Sequence, residues 1–507
     1  MAALLVLHFF PQPNQHKSSG QIQTRASTMS PIHRDPPGLT SCPRDILYSI
    51  FELLSPTEFY ALCLVHTNVR VVAAKFLYEN IQMIWEQENH YDPPLVTKLL
   101  RTLVARPHLA THIRNLQLTG LPTKHPALVR TIRLVPISPT ELSESISFIQ
   151  KTGVPYSDLW IQELQRGRLD AVVALLLAQM PNLQCLRLGP AFTQRSEIIG
   201  MVLRSAIFKP VDYGLPDFRH LQHVTYLLKV GRDYARDHEV KNTADLLPFF
   251  YLSNVKSLSL AVDSPLAITW PKPKLPIPSS LTSLVLNTVR ENYLRDLLSI
   301  TPHLKSLQWK FWYDSGLLDA VNSPIVDLDR IGDAVSCLKD TLSDLKILGE
   351  VYLGGDGDIN LPAIKTEGSL SAMVVMDNLK TLQVPWAFLV GFALDTTKRL
   401  QDVLPKYLEH LTITWDLCLQ NDEDVVPDWP QFEWADHHIL EVLKSWLEDR
   451  ETFTLNLRRI TLGLVRYETD EYDWEPSMRQ RLAELGAHAG IVFDIIFTDE
   501  MILPDEM

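Results

Sequence analysis

The chain has 507 residues, 46% of them apolar, with a formal net charge of −13 and 20 glycines. That length exceeds one compact core, so several domains or one extended array is expected. The acidic balance argues against a nucleic-acid partner, which needs clustered lysine and arginine, and scarce glycine leaves little material for phosphate-cradling loops. The five cysteines, Cys42, Cys63, Cys185, Cys337 and Cys418, lie far apart and form no C-x-x-C. This is neither a disulfide framework nor a zinc pattern, and it points to a reducing compartment, cytoplasmic and/or nuclear. No run of about eighteen consecutive apolar residues occurs, so no membrane partner is expected.

Residues 1–38 read as a disordered extension. Met1 to Phe10 is apolar but has no basic start and no small-residue cleavage site after it, and residues 11–38 are rich in Pro, Ser, Gln and Thr. Met29 stands just ahead of the first helical pattern, so residues 1–28 read as dispensable or as a start placed too early.

Ile46, Leu47, Ile50, Phe51 and Leu54 then fall at i, i+1, i+4, i+5 and i+8, one stripe of an amphipathic helix. Ser55-Pro56-Thr57-Glu58 is a capping-box pattern with proline at the first helical position, and it opens a second helix through Phe59, Leu62, Cys63, Val65 and His66. A third helix is expected from about Val69 to Tyr78, with Val72, Phe76 and Leu77 inward. Three short helices bury little area alone, so such a unit needs a partner surface.

Pro43-x-Asp45-Ile46-Leu47-x-x-Ile50-Phe51-x-x-Leu54-Ser55-Pro56, followed by Leu62-x-Leu64-Val65 and Arg70, resembles an F-box over residues 39–81. It departs from the usual pattern at Cys42, His66 and Val69. The resemblance implies docking on a Skp-type adaptor, and through it on a cullin, by way of Pro43, Ile46, Leu47, Ile50, Phe51, Leu62 and Val65.

Residues 82–112 read as linking helices, with Leu99, Leu100, Leu103 and Val104 inward and Pro107 as the stop. Beyond them one phrase, L-x-x-L-x-L, recurs ten times with variation, beginning at Ile113, Leu183, Leu221, Val255, Leu281, Leu304, Leu342, Leu379, Leu408 and Leu457. Alternation turns its leucines inward and Lys, Ser, Gln and Thr outward, as in a leucine-rich-repeat strand. Helical stripes such as Leu169, Val172, Val173, Leu176 and Leu177 lie between phrases, and Met180-Pro181-Asn182 and Met376-Asp377-Asn378 turn the chain into the next one.

The expected fold is therefore α/β: a three-helix unit followed by an irregular leucine-rich-repeat-like solenoid with a curved parallel sheet, residues 113–499, and a short tail, 500–507. Phrase starts lie 23 to 70 residues apart, and the ladder position three residues after each phrase is never Asn or Cys. The turn amides need other partners. The longest inserts are expected at about 119–165 and 416–445. An F-box followed by degenerate repeats resembles the large F-box families of filamentous fungi, and Leu482 to Asp494 looks like their closing helix-turn-strand.

The sequence offers no catalytic constellation: no H-E-x-x-H, G-x-S-x-G, Walker loop or G-x-G-x-x-G. Gly354-Gly355-Asp356-Gly357-Asp358 lacks the glutamate spacing of a calcium loop and reads as a turn, and Asp436-His437-His438 reads as a solvated helix start. No enzyme, cofactor or metal is expected. Two patches are candidates for binding a protein substrate: Trp429 and Trp434 in an acidic stretch, 416–436, without Lys or Arg, and Trp312, which alternates with Trp309 and Phe311. The resemblance implies a non-catalytic substrate receptor of an SCF-type ubiquitin ligase. The alternative is a scaffold or binding module that keeps only the F-box fold.

Overall fold

The computed structural model describes residues 42–85, 95–120, 135, 137–193, 196–227, 242–262, 267–314, 322–352, 364–418, 429–466, 474 and 476–499. The extension 1–38, the tail 500–507 and the glycine-rich turn at 354–358 lie outside them.

Helices α1 (Arg44–Phe51), α2 (Pro56–Val65) and α3 (Thr67–Glu79) come first, and α3 passes without a loop into strand β1 (Asn80–Ile84). Next are α4 (Leu95–Ala105), β2 (Asn115–Thr119), α5 (Pro139–Thr152), α6 (Ser157–Gln165), α7 (Leu169–Leu177), β3 (Cys185–Leu188), α8 (Glu197–Phe208), β4 (His223–Tyr226), β5 (Ser257–Ala261) and β6 (Ser283–Asn287). Then come α9 (Leu294–Leu298), β7 (Ser306–Asp314), β8 (Ile325–Asp327), α10 (Leu328–Ser336), β9 (Asp344–Tyr352), β10 (Lys365–Glu367), β11 (Thr381–Pro385) and β12 (His410–Thr414). The described chain closes with α11 (Asp436–Glu448), β13 (Arg459–Arg466), α12 (Pro476–Ala489) and β14 (Val492–Asp499).

Twelve strands form one parallel sheet in the order β1-β2-β3-β4-β5-β6-β7-β9-β11-β12-β13-β14, which is chain order with β8 and β10 left out to pair as a small sheet of their own. Each of the ten phrases carries one of these strands. The register explains why: Leu186, Val224, Leu258, Leu284, Leu307, Leu345, Leu382 and Leu411 stand side by side and are all but fully buried. A one-residue slip in any strand would turn its leucines to water. Helices such as α7, buried along almost its whole length from Ala171 to Leu177, supply the second layer.

Isolated asparagine bridges lie at the other end of the strands. Asn182 Nδ2 donates to the Thr111 carbonyl (2.7 Å), Asn254 Nδ2 to Arg219 (2.7 Å), and Asn378 Nδ2 to Lys339 (3.2 Å) and Asp340 (3.1 Å). Each of these asparagines directly precedes the first apolar residue of a phrase. Where the usual ladder position holds Asp416, its carboxylate accepts the Gly349 amide at 3.0 Å. The asparagines thus satisfy carbonyls ahead of the preceding strand, and Asp416 takes up one amide of β9.

The sheet starts earlier than the phrases indicate. β1 pairs with β2 from Asn80↔Asn115 to Ile84↔Thr119, so the helical unit is welded to the sheet and not hung on linking helices. Gly120 ends β2 at φ +138°, and a Cβ there would stand 2.0 Å from the Trp85 carbonyl oxygen, so the close approach needs glycine.

Candidate partner-binding surfaces

The three-helix unit has an aromatic centre. Phe51, Phe59 and Phe76 meet at centroid distances of 5.5 to 6.1 Å, and Tyr48 lies 5.4 Å from Phe76. The capping pattern forms at the head of α2: the Ser55 amide donates to Glu58 Oε2 at 2.6 Å and the Ser55 hydroxyl to the same oxygen at 2.7 Å. These bonds, the backbone one first, hold the Glu58 carboxyl below its ordinary value. Arg70 Nε closes the other end of α2 on the Cys63 carbonyl at 2.7 Å. α3 carries Val69, Val72, Ala73, Leu77 and Tyr78 into the common core, which joins the unit to the sheet.

That packing uses one half of the α1 stripe and leaves the other half outside. Leu47 and Phe51 are buried, at 5% and 0% exposure, whereas Ile46 and Ile50 remain 52% and 39% exposed. Pro43 and Val65 are exposed and Leu62 is half-buried. Of the residues expected to hold an adaptor, Leu47 and Phe51 are therefore corrected to core residues: their rings and methyls hold α1 on the unit and have no surface to offer. Three exposed side chains went unassigned, Leu53 at 86% after α1, Leu64 at 51% on α2 and Val71 at 68% on α3. The signal available for Ile46, Ile50 and Leu53 was their own i, i+4, i+7 spacing, offset by one residue from Leu47, Phe51 and Leu54.

Of the tryptophans expected to anchor a substrate, Trp312 and Trp434 are not available. Trp312 is 9% exposed and Trp434 7%. Trp434 Nε1 donates to the Gly391 carbonyl at 3.0 Å, and its ring meets Trp386 edge-on at 5.2 Å. The neighbouring Glu433 ties the same segment down, donating its amide to the Phe392 carbonyl and accepting the Leu394 amide. Trp429 is half-buried, and the acidic residues 419–428 lie outside the described residues. Trp309 and Phe311 are buried as expected, with Trp309 Nε1 on the Val289 carbonyl at 2.7 Å.

No protein-family model matches the chain, and no curated protein matches it.

The second extended surface is the polar face of the sheet. In register across β5, β6, β7, β9 and β11 stand Ser257, Ser283, Ser306, Asp344 and Thr381, and two residues further along Ser259, Val285, Gln308, Lys346 and Gln383. All ten are half-exposed. The Ser306 hydroxyl donates to Asp344 at 2.7 Å. His437 and His438 sit on the first turn of α11, His437 exposed. Among the described residues no group of three His, Cys, Asp or Glu side chains could hold a metal ion, and no helix is long and apolar enough to cross a membrane.

Perturbed titrations occur where carboxylates are enclosed. Burial raises the Asp170 carboxyl to about 7, against the opposing pull of the Ile199 and Ile198 amides that it accepts at the head of α8. Burial likewise raises Asp416, countered by the Gly349 amide. Both carboxylates take up backbone amides that would otherwise lack partners, a structural task.

Proposed function

We propose that this chain is the substrate-receptor subunit of an SCF-type ubiquitin ligase, holding a Skp-type adaptor on its three-helix unit and a protein substrate on its sheet. The observation that carries the reading is the exposed half of the α1 stripe. A folded unit with its own aromatic core still presents Ile46, Ile50 and Leu53 to solvent, with Leu64 and Val65 at the end of α2. Scattered apolar side chains on a surface need no explanation, but several drawn from one short segment mark a contact site.

The mechanism is positioning. A receptor raises the local concentration of a substrate lysine beside a charged conjugating enzyme, and no bond is made or broken on the receptor itself. The polar sheet face suits the substrate half, since its hydroxyl and amide groups can meet peptide donors and acceptors of either kind.

The test is capture of the Skp-type adaptor and the cullin by the full chain, beside an Ile46→Asp, Ile50→Asp double variant. Loss of both proteins from the variant alone supports the ligase reading. Failure of the unaltered chain to capture either overturns it and leaves a binding module that shares only the helical arrangement.

A further inference from the structure

We infer that the amino-terminal rim of the sheet is a docking track for an extended, carboxylate-rich peptide segment of a protein partner. The inference rests on the reading that the sheet receives a protein substrate, and it names the chemical class of that substrate.

The rim is built by one backbone device repeated across the fold. The residue before each strand lends its carbonyl oxygen to two successive amides of the next: Thr282 and Ser283 on Lys256, Lys305 and Ser306 on Thr282, Ser343 and Asp344 on Lys305, Lys380 and Thr381 on Ser343, and Glu409 and His410 on Lys380. This fixes Lys256, Thr282, Lys305, Ser343 and Lys380 at one level on β5, β6, β7, β9 and β11. The lysines therefore recur on every second strand, about 10 Å apart at the spacing of neighbouring strands. Lys256, Lys305 and Lys380 are exposed. Lys256 and Lys305 form no ion pair among the described residues, and Lys380 meets Glu409 only loosely, at 3.5 Å. Lys346 adds a fourth ammonium from the face itself.

A row of like charges within a chain of net charge −13 is the opposite of its surroundings and fits a partner of negative sign. The spacing adds a second constraint. A chain in polyproline II form rises about 3.1 Å per residue with three residues per turn, so every third side chain recurs about 9 Å along one side. Carboxylates at every third position would each meet one lysine. Single ammonium groups suit single carboxylates; phosphate recognition favours the forked, bidentate geometry of arginine, and no arginine stands at these five positions. Nor does any tryptophan, tyrosine or phenylalanine stand there or in the two face rows between β5 and β11, so stacking with bases has no platform.

The experiment uses the full chain and a fluorescein-labelled peptide of repeating Glu-Ser-Pro units, about 15 residues long so as to cover the three lysines at three residues per turn. Anisotropy reads binding at about 0.05 M salt and again at about 0.5 M, where surface charges are screened. Binding is expected at low salt and lost at high salt. Lys256→Glu, Lys305→Glu, Lys380→Glu together should weaken it about tenfold or more, given a modest contribution from each exposed pair plus repulsion. Lys151→Glu, Lys209→Glu, Lys444→Glu, all exposed and on or at the end of the helices α5, α8 and α11, make the same change in net charge and should leave it within about twofold. Equal weakening by both sets, no binding by the unaltered chain, or binding only when phosphoserine replaces glutamate would each overturn the inference. Adaptor capture by the rim variant is scored in parallel, so that failure of the ligase reading and failure of the track are separate results.

Discussion

Ile46→Asp with Ile50→Asp and Phe51→Ala alter neighbouring positions of one helix and should fail in opposite ways. Full burial of an isoleucine side chain contributes about 1.5–3 kcal/mol. With Ile46 and Ile50 at 52% and 39% exposure, roughly half of that remains for a partner to cover, about 1 kcal/mol each. Aspartate loses that gain and brings a carboxylate whose unpaired desolvation costs about 1–3 kcal/mol on the protein-derived scale. The pair should therefore weaken adaptor binding by about 4–8 kcal/mol, a factor of roughly 10³ to 10⁶. The fold should lose only the part of each side chain that it already covers, about 1 kcal/mol apiece. Phe51, at 0% exposure and against two phenylalanine rings, is the reverse case. Its truncation should cost about 3–5 kcal/mol of stability in the helical unit.

Titration calorimetry with purified adaptor, beside thermal melts followed by circular dichroism, separates the two. The expected pattern is an isoleucine double variant that melts only slightly below the parent and does not bind, and a Phe51→Ala variant that melts well below both. A double variant that binds within tenfold of the parent, or that melts as early as Phe51→Ala, refutes the division of the α1 stripe into an inner and an outer half.

Three further outcomes are expected. Arg290→Leu should destabilise the protein by about 3–5 kcal/mol in denaturant unfolding, because it strands Glu291 (3% exposed) without the guanidinium that also holds the Ser323 and Ile325 carbonyls. Gly120→Ala should lower the melting temperature, since its Cβ would meet the Trp85 carbonyl oxygen at 2.0 Å and its φ of +138° is strained for alanine; unchanged melting would contradict the close approach. Asp170 titrates near 7 in the fold and near 4 in an unfolded chain, so its contribution to stability is full below about pH 4 and lost as pH rises through 7. Asp170→Asn should flatten the pH dependence of stability by about 1–3 kcal/mol between pH 5 and 8, less than complete burial implies because the residue keeps some exposed surface; identical slopes would sink the assignment.

The ten phrases were legible because alternation over a buried face is a strict code: Leu258 and Leu260 inward, Ser257 and Ser259 outward, and so on along the chain. β1 was missed although Ile81 and Met83 alternate with Asn80, Gln82 and Ile84, because no turn residue separates it from α3 and no leucine triplet marks it. β8 and β10, three residues each, carry too little pattern to read; Arg290 holds the Ser323 and Ile325 carbonyls at the start of β8. On α1 the difficulty was excess of signal. A stripe containing both Ile46–Ile50 and Leu47–Phe51 is wider than one contact, and periodicity does not say which side meets the rest of the chain. Trp312 failed for a related reason: alternation places it opposite Trp309, but both faces of β7 are covered at that point.

The weld between α3 and β1 bears on how such a receptor would work. A flexible linker spreads a bound substrate over many positions, and its effective concentration at any one of them falls as the linker lengthens. Here the turn from helix to sheet has no free residue: Glu79 ends α3, its carbonyl accepts the Arg114 amide at 3.0 Å, and Asn80 is already paired with Asn115. The sheet face therefore stands at a fixed distance and angle from the exposed side of α1. On the proposed reading, a substrate held on the rim is presented to the conjugating enzyme in one orientation, and ubiquitin should go to a narrow set of its lysines. Inserting a short Gly-Ser linker between Glu79 and Asn80 should leave adaptor capture intact while broadening the modified lysines seen by mass spectrometry. An unchanged lysine pattern would mean that the rigidity of this joint serves the fold alone.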